Sequence, residues 1–295
     1  MVCGMFPIIR NGQDRSVLCQ HRVENEDGTG LEYLTFPLLD STGMVRHLFS
    51  TRLGGTSRGE FASMNLGFTR GDREEDVLAN YKRIAAVLGC SLEDMTVSHQ
   101  THTVNIRRIT REDRGKGITR PRDYENVDGM VTDEPGIVLV TYYADCVPLY
   151  FVDPVHRAVG LAHSGWRGTL GRMGERMVRA MGEAYGSRPE EMYAAIAPSI
   201  CRDCYEVSED VAVPFLDMLG KDVAVPGKAP GKYQLDLWIA NKMILKQAGI
   251  PEDHIAVTDI CTCHNSRYLF SHRASGGRRG NLGAFLMLEP YPREN

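Results

Sequence analysis

Several things are scarce in this 295-residue chain, and each scarcity excludes a class of protein. No apolar run approaches the roughly 18 residues needed to cross a bilayer. The opening MVCGMFPIIRNGQD has no apolar core behind a basic start. The 34 Lys and Arg are outnumbered by 38 Asp and Glu, for a net charge of -4. The basic surplus that marks a nucleic-acid or anionic-membrane partner is therefore absent. Neither partner is expected, and the cytoplasm is the expected location. Eight cysteines in a chain of this length are too dilute for a disulfide-rich scaffold, so in a reducing compartment they read as ligands, nucleophiles or core residues. Repeats, low-complexity tracts and long linkers are also missing. One domain over 1–295 is expected, with 1–36 as a strand-rich lead-in.

Between the absences, the patterning is that of a layered protein. The acidic DREED at 72–76 followed by VLANYKRIAAVLG predicts a helix over 73–88, stopped by Gly89. MTVSHQTHTVNIRRI alternates like a strand, and the polar REDRGKGITRPRDYENVDG that follows reads as an exposed loop. GIVLVTYYA, VPLYFVD and RAVGLAH are three closely spaced strand patterns, followed by a helical stretch from Thr169 to Tyr185. YQLDLWIANKMILKQAG reads as a helix ended by Gly249, HIAVTDICT as a strand, and FSHRASGGRRGNLGAFLMLEP as a basic glycine-rich loop entering a final strand. Strands in the middle with flanking helices indicate an α/β or α+β layered fold.

The segment AHSGWRG at 162–168 sets a histidine, an arginine and one of only two tryptophans among small residues. That composition suits either a site or a tightly packed corner. Upstream, Asp153-Pro-Val-His156 is a turn candidate between two strand patterns. If Asp153 and His156 close the turn, Cys146 falls directly opposite His163, with Cβ atoms about 4.5 to 5.5 Å apart. Such a pair could grip one metal, although independent packing of the two side chains is the plain alternative. A third ligand would come from SHQTHTV, where His102 shares a strand face with Gln100, Val104 and Ile106 and is favoured over His99. Cys201-x-x-Cys204 and Cys261-x-Cys263-His264 could hold a second metal. The short spacing of the second cysteine pair is not that of a standard zinc knuckle, which favours ordinary thiols.

The motifs FSTRLGG, HQTH, DGMVT, ADCVPLYF, AHSGWRG, APSI with CYEV, YQLDLWIAN, DICT and FSHRASGGRRGNLG occur in order from about residue 48 onward. Together they resemble the YfiH/YlmD family, whose members are also called laccase-domain proteins, polyphenol oxidases, peptidoglycan editing factors or purine nucleoside phosphorylases. The resemblance implies a layered α/β/β/α fold with mixed sheets, also seen in cytotoxic necrotizing factor toxins. It implies a metal site at His102, Cys146 and His163, the three residues that strand parity and hairpin register favour. Many relatives have alanine where this chain has Ser164, which would add a hydroxyl to the pocket wall.

The implied activity is phosphorolysis of adenosine, inosine, guanosine or methylthioadenosine, with deamination of adenosine beside it. The expected partners are purine nucleosides and phosphate. Three protein ligands with a fourth position open are how a catalytic zinc is held. Such an ion lowers the pKa of bound water to about 7, giving a nucleophile suited to C6 of adenine. A phosphate cradle needs cationic donors, for which Arg52 and Arg167 are candidates unless each serves a structural ion pair. Asn65 and Gln100 are candidates for binding base or ribose. The basic loop Ser271–Gly280, with Arg273, Arg278 and Arg279, is expected near the pocket or a phosphate path.

Three alternatives stand beside this reading. Copper-dependent phenol oxidation suffers from nine histidines without one His-x-His pair and from the lack of a methionine soon after Cys146 to serve as axial ligand. A metal-free hydrolase would use Cys146 as nucleophile and His163 as base. A metal-buffering or partner-binding protein would hold metal without turnover.

Overall fold

The computed structural model of the protein describes residues 5–12 and 17–290. In chain order the first strands are β1 (Cys19–Glu24), β2 (Gly30–Thr35), β3 (Val45–Ser50), β4 (Met95–Val97) and β5 (Ile106–Arg108). They continue as β6 (Gly129–Thr132), β7 (Val138–Tyr143), β8 (Val147–Asp153), β9 (Ala158–Ser164) and β10 (Tyr193–Ile196). The last are β11 (Glu206–Ser208), β12 (Ala224–Pro226), β13 (Lys232–Leu235), β14 (Ile255–Val257) and β15 (Leu282–Leu288). The helices are α1 (Pro37–Asp40), α2 (Glu74–Leu88), α3 (Trp166–Leu170), α4 (Met173–Tyr185), α5 (Glu209–Leu219), α6 (Leu237–Gln247) and α7 (His272–Ser275).

Two six-stranded sheets, ordered β1-β2-β3-β15-β7-β4 and β14-β10-β8-β9-β6-β5, carry the fold, with a small sheet β11-β13-β12 beside them. Both large sheets are mixed: β4 runs parallel to β7, β5 to β6 and β14 to β10, and the remaining pairs are antiparallel. Strands β7, β8 and β9 are buried almost throughout, because each has a covered face on both sides. Leu139, Phe49 and Leu286 of the first sheet meet Tyr150, Val152 and Leu161 of the second in the central core. Outside the first sheet lies α2, packing Val77, Tyr81, Ile84 and Leu88 inward. Outside the second lie α4 and α6, through Met177, Met181, Ile244 and Leu245. The result is the expected α/β/β/α layering.

Three local expectations need correction. The helix expected over Thr169–Tyr185 is two helices, α3 and α4, broken where Arg172 takes φ 58°. The strand expected through SHQTHTV stops at Val97, and residues 98–105 form a loop. In the β8–β9 hairpin, Asp153 pairs with Ala158 and Pro148 with His163, so four residues, not two, make the turn. The Asp153 carboxylate accepts from the backbone N–H of Val155 at 2.9 Å and of His156 at 3.1 Å, an Asx-type turn that Arg157 closes at φ 49°. This register differs by two residues from the one expected. Two is an even slip, so side-chain parity survives and Cys146 meets His163 diagonally.

Candidate metal centre and its cavity

The chain crosses from the first large sheet to the second between β4 and β5, and again between β7 and β8. The first crossing carries His102 and the second carries Cys146, while His163 sits near the end of β9. One donor atom from each of the three lies within 4.8 Å of the others. His102 Nε2 is 3.9 Å from Cys146 Sγ, and the two imidazoles stand edge to face at 4.9 Å between centroids. His102 reaches this position from a left-handed backbone, φ 63°, not from a strand face.

Asp128 builds this arrangement. It is fully buried and accepts from the backbone N–H of Thr101, His102 and Thr103 at 3.1, 3.1 and 2.9 Å, and from Thr103 Oγ1 at 2.8 Å. Its Oδ1 also lies 2.8 Å from His163 Nδ1, which leaves Nε2 of that ring to face the other two donors. A buried carboxylate is costly unless it is paired and hydrogen-bonded, and here the same contacts fix the loop of one ligand and the tautomer of another. Burial alone would raise the Asp128 pKa, but His163 and the loop amides outweigh it and hold it at about 2. The Cys146 thiol is drawn down to about 6 against its burial by His163 and His102. His163, also opposed by burial, is raised to about 9 by Cys146 and Asp128. Sequence reasoning missed Asp128, although it opens the DGMVT motif at the mouth of β6.

The first glycine of AHSGWRG has a steric reason. Gly165 has ordinary extended torsions, but a Cβ there would sit 3.0 Å from Cys146 Sγ and 3.2 Å from His102 Cδ2. Trp166 packs against the outer core, and exposed Arg167 lies over its ring at 4.3 Å.

The three donors line a cavity of about 380 Å³, within the range usual for small-molecule sites. Its other walls include Phe68, Gln100, Tyr142 and three arginines, Arg70, Arg122 and Arg279, with no carboxylate and no methionine among the lining residues. Arg279 is half-buried; burial first and then Arg70 lower its pKa to about 10, and its buried Nε has no hydrogen-bond partner. Gln100 mimics a strand edge, receiving from Tyr142 N at 2.7 Å and donating to Tyr142 O at 2.7 Å.

The remaining sequence candidates lie elsewhere. The Arg52 guanidinium donates to Ala62 O at 2.9 and 2.7 Å and to Ser266 O at 2.8 Å, and stacks on Phe270, so it fastens loops and does not line the cavity. Buried Asn65 bonds Asp72, Gly67 and the N–H of Asn281. Ser164 faces away from the cavity toward Thr169 at 3.0 Å and Asn241 at 3.2 Å, so its hydroxyl is not on the pocket wall. Of the basic loop, only Arg279 lines the cavity. Arg273 bonds the carbonyls of Cys204 and Glu206, and Arg278 pairs with Glu60 at 2.9 Å.

Residues 46–289 match the family model described as multi-copper polyphenol oxidoreductase laccase. The chain belongs to this family. It is 40% identical to purine nucleoside phosphorylase YlmD of Geobacillus stearothermophilus over 80% of this chain and 88% of that one. It is 34% identical to adenosine deaminase RL5 of an unknown prokaryotic organism, over 79% and 90%. Among solved structures it resembles YfiH of Bacillus licheniformis with TM-score 0.83 and 34% identity, over 87% of this chain and 96% of that one. It also resembles YlmD of Geobacillus stearothermophilus with TM-score 0.81, over 96% and 100%. The layered fold is thus a family property, and the chain belongs to a family of enzymes. Among the described residues, no helix is long and apolar enough to cross a membrane.

Proposed function

We propose that this protein is a zinc-dependent purine nucleoside phosphorylase that also deaminates adenosine. The observation that carries the reading is the convergence of His102, Cys146 and His163 on the wall of an arginine-lined cavity. Two imidazoles and a thiolate suit zinc, and Gly165 keeps the space beside the sulfur clear. His102, Cys146 and His163 would hold the zinc, which would supply a Lewis acid and a means of ionising water near neutral pH. The chain's own residues do the rest. Asp128 holds both histidines in place. Arg279, with Arg70 and Arg122, offers cationic donors for phosphate without a competing carboxylate. Phe68 and Tyr142 supply aromatic wall against which a purine can lie. Unbridged thiols at all seven described cysteines suit a reducing cytoplasm.

The relatives named phosphorylase and deaminase agree with both halves of this reading. Copper oxidation is disfavoured by the absence of methionine from the cavity wall, which leaves no axial ligand of the blue-copper kind. The test combines elemental analysis with a nucleoside panel, run with and without phosphate. Zinc at the first site, phosphate-dependent release of purine base and phosphate-independent formation of inosine from adenosine are expected. Full activity after complete metal removal would replace this reading with the Cys146–His163 nucleophile, whose depressed thiol pKa suits that role. Copper with turnover of phenols and none of nucleosides would replace it with the oxidase.

A further inference from the structure

A second group of metal-ligating side chains lies outside the cavity. Strands β10 and β14 run parallel in register, Ile196 beside Val257, and the isolated parallel bridge Ser199–Cys261 extends their pairing past both strand ends. This brings the segment 199–204 alongside 259–264. Cys201 donates its backbone N–H to Cys261 Sγ at 3.3 Å, and Cys201 Sγ is 3.7 Å from His264 Nδ1. One donor atom from each of Cys201, Cys204, Cys261 and His264 lies within 4.8 Å of the others. A tetrahedral zinc with ordinary Zn–S and Zn–N bonds has donor-to-donor edges of about 3.5–3.8 Å. The cluster is therefore within about 1 Å of a closed coordination shell.

The local backbone is also that of a knuckle. Each segment makes a tight turn after its first cysteine, Arg202–Cys204 as a 3-10 turn and Cys261–His264 through Asn265 N bonding Cys261 O at 3.1 Å. The first turn is closed by the Cys204 N–H donating to Cys201 O at 3.1 Å. The spacing that made the sequence unlike a zinc site was Cys261-x-Cys263. In the fold the fourth position belongs to His264, and the ligand pattern becomes Cys-x-x-Cys with Cys-x-x-His. Apolar packing explains Cys201, Cys261 and half-buried Cys204, but it does not explain why exposed His264 joins them.

We propose that Cys201, Cys204, Cys261 and His264 bind a second zinc ion with four protein donors, a structural clasp distinct from the cavity site. Binding replaces three thiol protons with one divalent cation, and His264 ligates through Nδ1 as a neutral ring. The two clasped segments hold Asp145, the residue before Cys146. Ile200 N donates to Asp145 O at 3.0 Å, and Thr262 Oγ1 donates to its carboxylate at 2.6 Å. Asp145 sits at φ 85°, a strained turn for a non-glycine residue, and these contacts keep it there. The clasp thereby positions Cys146 without touching substrate.

The test is metal counting on protein loaded with zinc, and separately with cobalt(II), under reducing conditions. Wild type is expected to bind two ions per chain and Cys146→Ser to keep one. The double variant Cys204→Ser/His264→Ala, changed only at half-buried and exposed positions, should bind one. Cobalt in Cys146→Ser should show the strong sulfur-to-metal charge-transfer absorption of a site with several thiolates. One ion in wild type and none in Cys146→Ser overturns the clasp, as do two ions in the double variant. Should the double variant not fold, Cys146→Ser alone decides, by keeping or losing its ion. One ion in wild type, kept by Cys146→Ser and lost by the double variant, supports the clasp while removing the cavity metal, so the two readings fail separately.

Discussion

The two Cys/His clusters are built from similar donors in opposite ways. His102, Cys146 and His163 lie on two chain crossings and a strand end, are tuned by one buried aspartate, and open into a cavity whose free charges are arginines. Cys201, Cys204, Cys261 and His264 lie on two adjacent turns after parallel strands, with two more sulfur donors and one fewer imidazole. Three donors with space beside them suit chemistry, and four donors drawn together by backbone pairing suit stability. Donor count and the space left over, more than donor identity, separate the two roles.

The largest expected effect comes from Cys146→Ser. Removing the only sulfur of the open site should lower both phosphorolysis and deamination by more than about 100-fold, beyond what loss of a supporting contact does. The ion at the closed site should stay. Activity near the wild-type level with the cavity metal retained would break the comparison, because Cys146 would then be neither ligand nor nucleophile. Asp128→Asn should follow, at roughly 10–100-fold in metal affinity or activity, since the amide cannot accept from the 101–103 loop and fix the His163 tautomer equally well. Zinc titration against a competing chelator measures this, and an unchanged affinity would show that the ligands need no such support.

Arg279→Gln should raise the KM for phosphate about tenfold, the scale of one charged hydrogen bond, and leave deamination of adenosine unchanged. Equal losses in both reactions would mean that Arg279 holds the cavity together and does not bind phosphate. Gly165→Ala is expected to cost less, a several-fold weakening of metal binding at the open site. The new methyl must displace Cys146 Sγ or His102 by only a few tenths of an ångström, which side-chain rotation can partly absorb.

What the sequence made legible follows from how local each feature is. The α2 helix was readable because its acidic first turn, its inward Val77, Tyr81, Ile84 and Leu88, and Gly89 at φ 65° are all short-range signals. The pairing of Cys146 with His163 was readable despite a wrong turn length, because strand parity survives a slip of two. His102 was reached through a strand that does not exist; its position depends on Asp128, 26 residues away, which no periodicity reports. Arg52 looked free for phosphate because its carbonyl partner at Ser266 lies 214 residues distant. Arg279, Arg70 and Arg122 converge from separate loops, and the sequence holds no mark of that convergence. The closed cluster was half legible: its candidate ligands stand in the sequence, but the fold is needed to bring the two segments together at the Ser199–Cys261 bridge and to set the donor atom of His264 among the three thiols.

The smallest expected effect is therefore the sharpest for the closed site. Cys263 lies beside Cys204, close enough for the two thiols to influence each other, yet it is outside the four donors that converge. Its position next to Cys261 makes a short Cys-x-Cys chelate, which would turn the backbone differently from the Cys261–His264 turn observed. Cys263→Ser should leave two zinc ions per chain and preserve the cobalt charge-transfer spectrum, whereas His264→Ala should weaken zinc at that site about tenfold or more against a chelator. The opposite pattern, with loss of metal in Cys263→Ser and none in His264→Ala, would make the cluster an all-cysteine site and move its fourth ligand one residue back along the chain. A thiolate in place of the imidazole would leave the closed, structural character of the site intact, so the contrast with the open cavity survives either result and only the ligand assignment is at stake.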